Sequence, residues 1–279
     1  MAPQAELAAT PFFAQEQYQC GPAALAMALG AAGFHVQPDA LVSQVYLPAR
    51  EGSLQVEMLA SARRNGAFGV TIAPRMDALL TEVAAGNPVI VLQNLSLPMI
   101  PRWHYAVVIG YDLARGDIIL RSGTTQRLVM SMSTFEHTWA RSKYWGMVAL
   151  APGRLPVTTD ESTVLDALVG FEKNGKASEV QKTYVAAVQR WPGNPALLIG
   201  LGNTAYTTGD RAASADAFRR ATERDPRNAA ALNNLAVVLM ELGRLPEARK
   251  AAQQAIALGG QWREQAQATL KAIEAAEKK

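Results

Sequence analysis

Cysteine is nearly missing from this chain: Cys20 is the only one in 279 residues. A single thiol excludes an internal disulfide, and with it the small bridge-stabilised folds. Histidine is scarce too, with His35, His104 and His137 the whole set, and none is spaced with Cys20 as a zinc site requires, so no metal or other cofactor is expected. No run of twenty apolar residues occurs, which excludes a membrane-spanning helix. Charged residues make up only 18% and the net charge is +3. The small basic excess forms no cluster, so nucleic acid is not an expected partner. Residues 1 to 11 lack the charged and long apolar parts of a secretory leader. They resemble the start of an exported protein after leader removal, so the cell envelope (periplasmic or lipid-anchored) is the expected compartment, with the cytoplasm as the alternative.

What is present is a hydrophobic content of 49%, enough to give a core to each of the roughly two domains that the length allows. The lone cysteine stands in Gln15-Glu16-Gln17-Tyr18-Gln19-Cys20-Gly21-Pro22, directly before Ala23-Ala24-Leu25-Ala26-Met27-Ala28-Leu29. Pro22 suits the first turn of a helix and the Ala/Leu/Met run continues it. Cys20 then sits at a helix N-terminus, where unpaired N–H groups and the helix dipole favour a thiolate. The competing reading is a small buried hydrophobe. Two further features favour chemistry. The Gln15 amide is placed to help the Cys20 N–H hold an oxyanion, and Trp103-His104-Tyr105-Ala106-Val107-Val108-Ile109-Gly110-Tyr111-Asp112 opens an apolar strand with a histidine.

The pair Gln-x-x-x-x-Cys-Gly-Pro-Ala-Ala-Leu-Ala-Met and His-Tyr-Ala-Val-Val-Ile-Gly-Tyr-Asp, about eighty residues apart, resembles the double-glycine, C-39-type cysteine peptidases over roughly residues 11 to 150. The resemblance implies a papain-like α+β domain over residues 1–150 in which Cys20 is the nucleophile, His104 the base and Gln15 the oxyanion donor. Tyr18, Gly21, Trp103 and Tyr105, which flank these groups, are expected to contact substrate. The family glutamine usually stands one residue further from the cysteine than Gln15, which keeps Gln17 and Gln19 as alternatives. His137 is a second choice for the base, and His35 falls in a turn without a role.

In that family an aspartate on the next strand orients the histidine. Residues 107–111 and 118–121 read as paired strands around a polar turn, and a symmetric hairpin puts Ser122 at the aspartate position. Asp112 and Asp117 fall at the far end of the same strands, some 20 Å or more from His104. A serine hydroxyl accepts from an imidazole N–H but carries no charge to stabilise an imidazolium, so either a weakened Cys20–His104 ion pair or another acceptor in the aspartate's place is expected.

Residues 151–160, with two prolines and a glycine, read as a linker. Beyond it the spacing is periodic: Asn194 and Asn228, Pro192 and Pro226, Tyr184 and Phe218, and Gly175, Gly209 and Gly243 all step by 34 residues. This period resembles the tetratricopeptide repeat (TPR) and predicts three repeats with a C-terminal capping helix over residues 161–279. Arg211 and Arg244 fall near turns, a poor position for gripping a carboxylate. The whole is expected to be a peptidase acting on a peptide or protein, after small residues such as Gly-Gly, with an all-α module that binds a protein partner. The alternative is a peptide-binding scaffold that has lost turnover.

Overall fold

The computed structural model describes residues 2–14, 19–48, 52–97 and 99–278. Contacts divide the chain into two compact units, Met1–Gly175 and Lys176–Lys279.

In the first unit the run after Pro22 forms α1 (Cys20–Ala31), with every residue from Gly21 to Leu29 buried. Alanine, leucine and methionine surround this helix, so no side of it suits water. Its core partners come from α2 (Pro38–Val45), α3 (Gln55–Arg64) and the sheet. Leu54 is the N-cap of α3, and Ser53 just before it belongs to a small hairpin of β2 (Tyr46–Leu47) and β3 (Gly52–Ser53).

The remaining strands are β1 (Gln4–Glu6), β4 (Phe68–Thr71), β5 (Val89–Asn94), β6 (Trp103–Asp112), β7 (Asp117–Ser122), β8 (Thr125–Ser131) and β9 (Gly146–Leu150). They form one antiparallel sheet in the order β4-β9-β5-β6-β7-β8, with β1 also paired to β6. The strand expected to open with His104, β6, lies inside the sheet between β5 and β7. β5 pairs with residues 103–108 of β6 and β1 with residues 110–112, so β1 continues the edge where β5 stops. Tyr105, Val107 and Ile109 join the α1 core. Helices α4 (Met76–Ala84) and α5 (Met132–Ala140) also pack on the sheet.

The stretch 151–160 is anchored, contrary to the linker expectation. Buried Glu82 accepts from the Thr158 N–H at 2.8 Å and its hydroxyl at 2.6 Å. Arg154 reaches Asn87, and the Thr159 hydroxyl reaches the Thr71 carbonyl. Satisfying a buried carboxylate in this way ties the stretch to the domain. Helix α6 (Glu161–Glu172), expected to open the first repeat, packs instead on β4 and α3, with the Phe171 ring 5.9 Å from Phe68.

The second unit comprises α7 (Ala177–Arg190), α8 (Pro195–Thr207), α9 (Arg211–Arg224), α10 (Ala229–Glu241), α11 (Leu245–Leu258) and α12 (Arg263–Ala276), each packed on the next. Asn194, Asp210 and Asn228 cap α8, α9 and α10 through their side chains, as N-terminal residues of this type do. Helix glycines admit the large residues of the 34-residue pattern: a Cβ on Gly200 would stand 2.3 Å from the Tyr184 ring, and one on Gly202 2.7 Å from Phe218. Among the described residues no helix is long and apolar enough to cross a membrane.

Candidate active site

A cavity of about 1520 Å³ opens beside the first turn of α1, and Cys20, Ser53, Trp103, His104, Tyr105 and Trp145 lie in its wall. The helix start puts the Cys20 sulfur next to β6, where the backbone N–H of Tyr105 donates to it, joined by those of Gly21 and Cys20 itself. The sulfur is therefore held by the residue directly after His104. Among the described residues the sulfur and the imidazole share the wall without a hydrogen bond to each other.

His104 is fixed from the other direction. Its Nε2 lies 2.9 Å from the Ser122 hydroxyl, which leaves Nδ1 as the second ring nitrogen. A β-bulge makes this contact. At the turn Asp112 faces Asp117 and Gly110 faces Ile119, but past the bulge Val108 faces Leu120 and Val107 faces Arg121. The extra residue, Ile109, shifts Ser122 from the Val107 position to that of Ala106. Opposed residues share a face and faces alternate along a strand, so the shift puts Ser122 on the face of His104, diagonally adjacent. The symmetric hairpin expected from sequence arrives at the same residue for an incomplete reason.

The electrostatics run against a resting ion pair. Burial pushes the Cys20 thiol above its ordinary value, outweighing the three N–H donors that pull it down. Burial, with the Arg102 charge adding to it, brings His104 down to about 4. At neutral pH the pair is a thiol beside a neutral imidazole. The expectation that the helix N-terminus makes Cys20 easier to ionise is thus corrected: the dipole contributes, and loss of water around the sulfur contributes more.

The other expected residues separate into groups. Trp103 is 48% exposed at the wall and remains available to a substrate. The Tyr105 ring is not: it is buried, donates to the Ser53 carbonyl at 3.0 Å and stands edge-on to Trp145. Gly21 is a packing glycine, since a Cβ there would fall 2.2 Å from the Ser53 hydroxyl. Gln15, Gln17 and Tyr18 lie outside the described residues. Gln19 is the N-cap of α1 without a side-chain bond. His137 is exposed on α5, bonded to Arg141, and His35 is exposed as well. Asp112 and Asp117 bind the turn and Arg115 at the far end of the hairpin. Among the described residues no group of three metal-ligating side chains forms. Arg141 and Lys143 also line the wall and carry no local signal in the sequence.

The Peptidase C39 like family model matches residues 7–147 and a Tetratricopeptide repeat model matches residues 199–261. No curated protein matches. Among solved structures, a Bacillus anthracis protein assigned as a C39-like peptidase shares 18% identity at a TM-score of 0.45, covering 53% of this chain and 98% of that one. The first TPR of Spaghetti (RPAP3), bound to an HSP90 peptide, shares 18% at 0.39, covering 43% and 94%. The Yersinia enterocolitica chaperone SycD, with a peptide of the translocator YopD, shares 17% at 0.39, covering 42% and 93%. With half of its length matched by that first family model, the chain belongs to the Peptidase C39 like family and carries tetratricopeptide repeats after the peptidase-like domain.

Proposed function

We propose that residues 1–150 are a cysteine peptidase that hydrolyses peptide bonds and that the repeats recruit a protein partner or the substrate. Cys20 attacks the peptide carbonyl carbon while its proton passes to His104. The amine leaves with that proton and a thioester remains on Cys20. Water then attacks the thioester, His104 takes a proton from it, and the acid departs as the thiol is restored. The Cys20 N–H and the Gln15 amide hold the oxyanion. Ser122 keeps the His104 ring in orientation. The observation that carries this proposal is the Tyr105 N–H on the Cys20 sulfur beside a His104 ring anchored by Ser122, in the wall of one large cavity. The gap between sulfur and imidazole fits a free enzyme, whose catalytic hydrogen bonds tighten once substrate seats.

Cleavage after small residues such as Gly-Gly is proposed from the family. A peptide scan across the position before the bond tests it, and equal cutting after bulky residues overturns it. Peptide turnover that vanishes in Cys20→Ala and in His104→Ala is the result expected for the activity itself.

One observation favours a second reading, a scaffold that binds peptides without turnover. The ring partner is a neutral hydroxyl, and both burial and Arg102 oppose the imidazolium that each turnover must form. A peptide carrying a thiol-directed electrophile separates the two: labelling of Cys20 that His104→Ala abolishes supports the enzyme, and slow labelling indifferent to His104 supports the scaffold.

A further inference from the structure

The described part of the cleft wall carries charge of one sign. Among the described residues that line it, Arg102, Arg141 and Lys143 are cations and none is an aspartate or glutamate. Arg141 is bound to the carbonyls of Asn94 and Ser96 and to His137, none of which is a countercharge. Among the described residues neither Arg102 nor Lys143 takes part in an ion pair. Lys143 and Tyr144 have φ of 59° and 57°, a left-handed conformation that side chains of this size seldom adopt. The turn is over-determined by its supports: Trp139 Nε1 donates to the Trp145 carbonyl at 2.8 Å, the Ser142 hydroxyl to the Trp139 carbonyl at 2.8 Å, and the Tyr144 ring stands edge-on to Trp139 at 5.1 Å. Backbone held in this state collects at ligand sites, and here it puts Lys143 on the wall that also holds Cys20.

Resting on the peptidase proposal, we propose that the cleft selects peptides with a carboxylate near the scissile bond, seated against Arg102 and Lys143. Trp103 and Pro101 line the same wall as apolar neighbours, and apolar surface beside a charge pair strengthens it by keeping water away. Binding and chemistry are then linked. A carboxylate beside Arg102 offsets the charge that opposes protonation of His104, so an acidic substrate brings the base toward its working range as it binds.

The carboxylate has two sources, a Glu or Asp side chain or the C-terminus of the peptide. Fluorescent peptides carrying Glu, Gln or Lys at the same flanking position, each with a free or an amidated C-terminus, are titrated by anisotropy into the full chain bearing Cys20→Ser. Glu peptides are expected to bind about tenfold more tightly than Gln peptides, the scale of one charge-assisted contact, and Lys peptides less tightly than either. The advantage should shrink as salt is raised. Lys143→Glu is expected to cancel or invert it and Lys143→Arg to keep it, which assigns the binding to the cleft and not to the repeats. If amidation removes the gain and Glu-to-Gln exchange does not, the carboxylate is the terminal one. Equal affinities across the set, or a preference indifferent to Lys143→Glu, overturn the proposal. Charge-selective binding by a wild-type chain that never cleaves overturns the peptidase reading alone.

Discussion

Replacing Ser122 by aspartate tests the account of His104 most directly. The Ser122 hydroxyl lies 2.9 Å from Nε2 and is only partly buried, so a carboxylate fits at the same point without being sealed from water. An opposite charge at that range raises a histidine by about 1–3 pK units, against the burial and Arg102 charge that hold it at about 4. A unit corresponds to about 1.4 kcal/mol, or about tenfold in the population of imidazolium and of the thiolate it supports. Alkylation of Cys20 by iodoacetamide, followed by mass across pH 4 to 10, reads this out, because the thiolate is the reacting form. The parent should rise steadily through neutral pH and level only above the usual thiol range. Ser122→Asp should add a plateau beginning between about pH 5 and 7 and speed alkylation at pH 7 by about tenfold or more. Ser122→Asn, which keeps a polar partner without the charge, should stay near the parent. Identical profiles for the Asp and Asn variants would refute the reasoning, as would a parent that already shows the acid plateau.

His104 also sets a pH dependence of stability. The folded ring is held to about 4 while an unfolded one titrates near about 6.5, so between these values the unfolded chain binds more protons. Stability contributed at neutral pH is lost as pH falls from about 7 toward about 4, roughly 3 kcal/mol in all and about 2 of it by pH 5. His104→Gln should remove that increment from urea melts compared at pH 7 and pH 5, and an unchanged difference would count against the buried neutral ring. Glu82→Ala strips the Thr158 N–H and hydroxyl and the Asn87 amide of their acceptor. It should cost about 2–4 kcal/mol and speed amide exchange at Thr158, which a loose linker would not show. Gly202→Ala drives a methyl to 2.7 Å from Phe218 and should cost about 1–3 kcal/mol of repeat stability. Gly193→Ala, which meets open space, should stay within about 0.5 kcal/mol, and equal losses at the two sites would discount the close packing.

The parts of this molecule that were legible in its residues are those decided by neighbours along the chain. The buried character of α1 follows from a run in which no helical face is polar, and the 34-residue step marks Tyr184 and Phe218 as equivalent large positions, each of which packs on a helix glycine, Gly200 and Gly202. Helix α6 kept the same periodic signal but not the same partner, because Phe171 and Leu168 are as well satisfied by a strand as by a helix, and periodicity says which face is apolar without saying what will cover it. The anchoring of 151–160 was hidden for a similar reason: prolines and glycine announce a break in regular structure, while Glu82, more than seventy positions away, supplies the hold.

The site divides along the same line. Cysteine before Gly-Pro and histidine opening an apolar strand are local patterns, whereas the charge state of the pair is a difference between opposing quantities that no local pattern carries. A helix terminus presents about half a unit charge, and three N–H groups add to it at the sulfur. Burial of the same sulfur outweighs both only because β6 lies alongside. The contact between Ser122 and His104 depends likewise on one additional residue in β6, without which the hydroxyl would share the face of Val107. A chemistry that needs an imidazolium therefore rests here on features that arise after folding. A bulge fixes the ring, and burial, with the Arg102 charge adding to it, withholds the proton.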